Sequence, residues 1–375
     1  MAQKVENQPA VKRETKKKIR VDFERTSLKE RLKSKYLSMF FLKNTLWFIF
    51  RLLLLIGIAF VVIQPFITMI IQSIMAPQDF ADDSVMQVPR NLSMVIYKGI
   101  IQDLEYFSYF AETFAFSLIC ALLQTFSCCL IGYGLAKFKF RGSKIVFLAV
   151  ILTLVIPHGT LQTALFVRFR YFDVLGIFSF LSGNTGIGWI DNIMGILPKE
   201  NFVGGGFSLL GTWWPLILMS IFGLAFKNGL YIFMLRQFFR GVPDELEESA
   251  YLDGANTFRT FFQVILPLSV PMMITVFLFA FCWQWTDDFY VPLFFDTLKA
   301  AERPSLMYYI TDTTKINSSL IFTAAKEIAT TKGEGGFGQA IKYACGLMAC
   351  TPLIVLYLFC QRHLVQGIER SGIVG

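Results

Sequence analysis

Pro243-Asp-Glu-Leu-Glu-Glu-Ser-Ala-Tyr-Leu-Asp-Gly254-Ala-Asn-Thr-Phe258-Arg-Thr-Phe-Phe-Gln-Val-Ile-Leu-Pro267 is a polar interruption between two apolar blocks. Pro243 suits a first helical position, and Asp244, Glu245 and Glu247 set carboxylates against the positive end of a helix dipole. That helix should stop at Gly254, which takes the left-handed conformation without steric cost. Asn256 or Thr257 then caps a second helix, along which Phe258, Phe261, Phe262 and Ile265 recur at i, i+3, i+4 and i+7. The segment reads as a helical hairpin. Ser249 and Ala250 are small, so another protein's backbone can approach its first helix closely while the surrounding acids make polar contacts.

Outward from the hairpin, no charge interrupts Leu52–Gln78, Thr113–Ala136, Ile145–Val167, Thr260–Thr286 or Tyr343–Gln361. Each block is long enough to cross a hydrocarbon core. A further block, Trp213–Arg236, is apolar apart from Lys227 and its terminal arginine. With 54% hydrophobic and 17% charged residues among 375, and a mean hydropathy of +0.53, a water-soluble surface is excluded. The expectation is an all-α polytopic membrane protein with six transmembrane helices at about 47–75, 112–136, 145–166, 212–236, 264–286 and 340–361. The uncharged but glycine-broken stretch Gly176–Ile190 reads as an external segment. A basic tail (1–45) precedes a transmembrane domain (46–366) and a short C-terminal tail (367–375).

Charge sets the orientation. Residues 1–45, 137–144, 236–266 and 362–375 together hold 22 Lys/Arg against 11 Asp/Glu, whereas 76–110, 166–211 and 287–338 hold 10 against 15. By the positive-inside rule both termini are cytoplasmic, and so is the hairpin. The first 45 residues are too charged for a signal peptide, which makes the first span a retained anchor. Within that tail, 25–43 reads either as solvated chain or as an interfacial helix on anionic lipid with Leu32, Tyr36, Met39 and Phe40 on its apolar face. Nothing beyond charge supports nucleic-acid binding.

All seven cysteines fall in apolar blocks and only His158 and His363 are present, so neither a disulfide framework nor a His/Cys zinc site is expected. The glycine cluster Lys332-Gly-Glu-Gly-Gly-Phe-Gly338 lacks the Lys-Ser/Thr end of a phosphate loop. It reads as a mobile loop tip, and no ATP site is expected in this chain.

Glu248-Ser-Ala-x3-Gly254, nine residues, then Val264-x-Leu266-Pro267 resembles the EAA loop of binding-protein-dependent ABC importer permeases, with Ser249 in place of the first Ala and Val264 in place of Ile. The segments Pro243–Glu248, Asp253-Gly-Ala255 and Leu266-Pro-Leu268 resemble the sugar-importer branch and its MalG-like subunits. So do Gly132-Tyr-Gly-Leu-Ala-Lys-Phe-Lys-Phe-Arg-Gly142, Trp285-Thr-Asp287-Asp-Phe-Tyr-Val-Pro292, and Gln361-Arg-His-Leu-Val-Gln-Gly367. The resemblance covers about residues 47–375. It implies the type I importer permease (MetI-like) fold and assigns ATPase coupling to the loop 237–263 and its flanks: Glu245, Glu248, Ser249, Ala250, Asp253, Gly254, Ala255, Phe258, Leu266 and Pro267. It also implies a second, MalF-like permease, two cytoplasmic ATPase subunits that use ATP and Mg, and an external solute-binding protein. The implied substrate is a carbohydrate, with an oligosaccharide favoured. The long 287–338 loop acquires an implied contact with the solute-binding protein.

Two other places invite function. Lys227 lies near the middle of a span, where a lone ammonium costs about 2.5–3.5 kcal/mol, so it and Asn228 belong either to a wet pathway or subunit interface or to a structural contact. Trp283, Gln284, Trp285, Asp287 and Asp288 at the outer end of the fifth span read either as a sugar platform or as an interfacial aromatic belt. Pro157, Pro267, Pro271 and Pro352 are expected bend points. The competing classes are a secondary carrier, a permease for a non-sugar solute and a membrane-embedded enzyme. The first usually shows repeats and membrane acids, and the last needs a polar catalytic constellation.

Overall fold

The computed structural model describes residues 39–82, 84–85, 88–173, 202–203, 206–225, 227–295, 306, 319–329 and 336–372. Most of the basic tail, the stretch Gly176–Ile190 and the segment 333–335 lie outside them. The chain divides into two compact units at Phe66/Ile67. Up to Phe66 the described residues belong to one helix, α1 (Met39–Ser73), whose 35 residues contain Pro65. From Leu46 to Phe66 its large apolar side chains are exposed, and the Arg51 guanidinium lies 4.8 Å from the Trp47 ring centroid. Such a surface suits hydrocarbon rather than water.

The second unit holds α2 (Tyr106–Lys137), α3 (Ser143–Val155), α4 (His158–Arg170), α5 (Trp214–Ile221), α6 (Asn228–Arg240), α7 (Glu245–Leu252), α8 (Thr257–Trp285) and α9 (Gly336–Gly372). Short helices at Pro77–Phe80, Val95–Gln102 and Leu320–Ala329 gather toward the start of α2, and another at Tyr290–Phe295 packs against α4. One antiparallel pair interrupts the helical pattern, β1 (Phe202–Val203) beside β2 (Gly206–Phe207), with Phe202 opposite Phe207. The central helix is α2, packed against α5, α6 and α8, and α9 lies on α8. Between them Tyr133, Leu235, Phe239, Phe261, Phe281 and Trp285 form a buried core. Some polar groups inside the bundle find partners across helices. Ser127 donates to the Ser220 carbonyl at 2.9 Å and Gln124 to the Ser220 hydroxyl at 3.3 Å, while the Tyr106 hydroxyl reaches the Met348 carbonyl at 3.0 Å.

Four helices among the described residues are long and apolar enough to cross a membrane: Lys43–Ser73, Tyr106–Lys137, Thr257–Trp285 and Gly336–Arg362. These correspond to the expected first, second, fifth and sixth spans. The expected third span, 145–166, is not a straight helix but the pair α3 and α4, bent by 107°. Pro157 explains the break: it has no N–H to donate, and Ile156 and Pro157 are both extended. The expected fourth span, 212–236, is likewise broken. Its helices have 8 and 13 residues, and Lys227 stands between them with φ 65°, a hand of backbone that no α-helix can continue through. One smaller correction concerns Gly336 and Gly338, read as a loop tip; they open α9, and Phe337 between them is buried.

Candidate functional site

The hairpin forms as its sequence dictates. Asp244 precedes α7, whose first turn carries Glu245, Glu247 and Glu248. The C-terminus is a Schellman motif: Gly254 has φ 80° and donates to the Tyr251 carbonyl, while Ala255 donates to the Ala250 carbonyl, both at 3.0 Å. Asn256 then caps α8, its side-chain oxygen accepting from Arg259 N–H at 2.8 Å. Phe261–Ile265 follows as a π-helical turn. The expected stripe is therefore split. Phe261 and Ile265 are buried, but Phe258 is 76% exposed and Phe262 also faces out. Leu252, at 90% exposure, is also an exposed apolar side chain of the hairpin, where Glu248 and Ser249 are exposed as well. Ala250 is buried, Ala255 and Leu266 are half-buried, and Asp253 and Pro267 are exposed.

Lys137 fixes this hairpin to the bundle. At the last residue of α2, its ammonium donates to the Val242 carbonyl at 2.7 Å and to Asp244 Oδ1 at 2.5 Å, and lies 3.6 Å from Glu247 Oε1. Side-chain exposure is 8% for Lys137 and 11% for Glu247, so this ion pair is shielded, whereas Asp244 stands in solvent. The hydrogen bond from Lys137, with its charge, holds the Asp244 carboxyl below the usual carboxylate range. Arg236 makes a parallel tie, donating to the Leu135 carbonyl at 3.2 Å with its guanidinium 3.7 Å from the Phe147 centroid.

The broken helices enclose a second candidate. A cavity of about 440 Å³ lies between α3–α4 and α5–α6, lined by Lys227, Asn228, His158 and Arg168 among mostly apolar neighbours. Gly229 is required where α6 begins: a Cβ there would lie 3.0 Å from the Val150 carbonyl oxygen and overlap Thr153. The Lys227 ammonium sits 5.0 Å from the ring centroid of Trp283, and the His158 ring lies 6.3 Å from that of Tyr290. Asn228 is fully buried, and among the described residues neither polar atom of its side chain has a hydrogen-bond partner.

The remaining expected cluster is divided by burial. Trp283 is 45% exposed and faces Lys227. Trp285 is a core residue, not an accessible platform: it is fully buried, stacks at 5.9 Å on Phe281, and its indole N–H donates to the Ala349 carbonyl at 2.9 Å. Gln284 is buried beside Gln124. Asp287 turns inward to accept the N–H groups of Phe289 and Tyr290, and so holds the Tyr290 wall of the cavity. Burial pushes its carboxyl up to about 6, these hydrogen bonds opposing the rise.

The sequence reading missed Lys137 and Glu247 as a pair, and His158 and Arg168 as companions of Lys227. Only tertiary proximity reveals either set, since 110 positions separate the first two.

Residues 129–370 match the family described as "Binding-protein-dependent transport system inner membrane component". The chain is 24% identical over 89% of its length to the whole of the polygalacturonan/rhamnogalacturonan transport system permease YtcP of Bacillus subtilis. It is 23% identical over 85% of its length to the maltodextrin transport system permease MalD of Streptococcus pneumoniae, of which it covers 93%. Among solved structures, a bacterial ABC transporter that imports the acidic polysaccharide alginate superposes with a TM-score of 0.60 and 17% identity, covering 85% of this chain and 97% of that one. With a match over well more than half its residues, the chain belongs to the inner membrane component family of binding-protein-dependent transport systems.

Proposed function

We propose that this chain is one permease subunit of an ATP-driven ABC importer that carries a carbohydrate, an oligosaccharide by preference, across the cytoplasmic membrane. The relatives support the solute class, since their names specify saccharides, polygalacturonan and maltodextrin among them. The chain itself serves as a channel half and is not an enzyme. It crosses the membrane six times, with α3–α4 and α5–α6 as broken crossings and both termini cytoplasmic. A second, homologous permease completes the channel, two cytoplasmic ATPases supply ATP and Mg chemistry, and an external solute-binding protein delivers the sugar.

The observation that carries this reading is the hairpin: a rigidly capped element whose Leu252 and Phe258 stand exposed, as do Glu248 and Ser249. Exposed apolar side chains on a polar, charged element mark a docking surface. Glu245, Glu248, Ser249, Ala250, Asp253, Gly254, Ala255 and Phe258 form the ATPase contact and its turn, and Leu266 and Pro267 pass its movement along α8. Substrate passes the cavity at Lys227 and Asn228, with Trp283 at its edge. Co-purification tests the reading. Detergent-solubilised protein should bring down an ATPase whose hydrolysis rises with loaded solute-binding protein, and Phe258→Glu should abolish both. An unchanged complex and unchanged transport in that variant overturn it.

A further inference from the structure

We infer that Lys137 is a positioning residue for coupled transport: its ion pair with Glu247 makes the hairpin and the end of α2 one moving body, so ATPase-driven movement enters the bundle through α2 as well as along α8. This rests on the importer reading and deepens it, by adding a residue outside the loop to the coupling path.

The hairpin has two exits into the bundle, and they differ in stiffness. α8 leaves it by covalent continuity, but a π-helical turn at Phe261–Ile265 and Pro271 interrupt its first half. α2 has neither: its 32 residues run from Tyr106 to Lys137 as α-helix without a proline. A helix of 32 residues spans about 48 Å, and a displacement of one end is carried to the other. Such a rod needs a grip at its hairpin end.

Lys137 supplies the grip. Its side chain is 8% exposed, and the ammonium meets the Val242 carbonyl, Asp244 and Glu247, which lie in the hairpin or lead into it. Exposed ion pairs hold little, because water replaces either partner. Glu247 is shielded, and among the described residues Lys137 is its one cationic partner within 4 Å. Sliding α7 along α2 would therefore strand a buried carboxylate, a cost that apolar contacts do not impose on sliding.

A second contact closes the same joint. Tyr133, one turn before Lys137, has its ring 4.8 Å from that of Phe261 and 5.5 Å from that of Phe239, and its buried hydroxyl lies beside Glu247 and Tyr251. The last turn of α2 thus touches α6, α7 and the start of α8. Farther along, α2 is tied to α5 through Ser127, Gln124 and Ser220, and to α9 through Tyr106 and Met348. Movement gripped at Lys137 is delivered to those helices.

The test uses the complete transporter in nanodiscs, with both permeases, the ATPases and the solute-binding protein as purified. Nitroxides on ketone side chains replace Leu130 of α2 and Thr257 of the hairpin, sparing the seven cysteines. Their separation is read without nucleotide and after trapping with Mg-ATP and vanadate, and ATP hydrolysis is followed with and without the binding protein. In the parent the separation should hold within ~2 Å. Lys137→Met combined with Glu247→Met removes both charges and strands neither. It should keep the ATPase and its basal hydrolysis, yet shift by ~5 Å on trapping and lose ~10-fold in stimulation by the binding protein. Lys137→Arg should keep both parental values. Glu247→Gln, which preserves shape should the double variant fail to fold, should lose ~3-fold in stimulation.

A parental separation that changes on trapping overturns the inference. So does a folded double variant that keeps the parental separation or stimulation, or that no longer holds the ATPase. Full stimulation in Glu247→Gln, or failure of Lys137→Arg, overturns it too. All of these leave the importer reading standing, whereas a parent complex without an ATPase, or one that its binding protein does not stimulate, fells both.

Discussion

The hairpin at 243–267 and the break at 222–229 are both departures from straight helix, yet the sequence spells out the first and only suggests the second, as an irregular helix around Asn228 between Gly223 and Gly229. A hairpin of this kind is made by local devices. Gly254 supplies the left-handed residue, Asn256 the cap and Asp244–Glu248 the acidic first turn, and each acts within four residues of its own position. The break is made by distant partners. Lys227 turns left-handed where α6 meets α3 through Gly229, with its ammonium on Trp283 from α8. What a sequence reader sees there is an apolar run with one lysine and flanking glycines, enough to suggest irregularity but not a left-handed residue at Lys227.

Four substitutions sharpen this contrast, in decreasing order of effect. Lys137→Met should be the most damaging, because it strands the shielded Glu247 carboxylate. A loss of about 3 kcal/mol is expected for one broken buried pair. Thermal unfolding in detergent reads it, and the double variant with Glu247→Met should recover most of the loss. If the single variant unfolds like the parent, the hairpin is not held through α2.

Asp287 belongs to the other region, where it supports Tyr290. Its folded-state pKa of about 6 lies above the 3.8 of an ordinary Asp, so between these values the folded protein holds the proton more tightly than the unfolded chain. Stability should therefore fall as pH rises from about 4 to about 6 and then level, by about 3 kcal/mol in all. Asp287→Asn should flatten that slope, and a parent profile already flat over this interval refutes the assignment.

Gly254→Ala comes next. No atom lies within 4 Å of the added methyl, so its whole cost is the positive φ, about 1–2 kcal/mol. Gly254→Asn should be milder, and equal losses for the two would point to packing instead. Asn256→Ala should cost about 1 kcal/mol through the lost cap on Arg259, detected as earlier exchange of the amides at the start of α8. An unchanged exchange rate would mean that the cap is dispensable.

Legibility followed the range of the forces involved. The four long helices α1, α2, α8 and α9 were visible because a charge-free block of membrane length has one economical conformation. Pro157 was visible as a bend, but its 107° was not, since a missing N–H says where a helix breaks and not where the next one goes. At the site the same rule divided the residues. Glu248, Ser249 and Gly254 lay in one contiguous motif, whereas Trp285 looked like its neighbour Trp283 and differs only in being sealed by α2 and α9. The stripe from Phe258 to Ile265 misled for a subtler reason. A π-helical turn spaces side chains differently from 3.6 residues per turn, which sends Phe262 outward while Phe261 and Ile265 stay inside.

The helix Thr257–Trp285 starts at the hairpin cap and ends at the indole bonded to Ala349. Its 29 residues span about 44 Å. The element an ATPase would grip and the element beside the cavity are thus opposite ends of one rod, whose soft joints, the π turn and Pro271, both lie in its first half. A tilt of about 10° at the Asn256 end moves the Trp285 end by about 8 Å, enough to open or shut a solute path with no relay of side chains between.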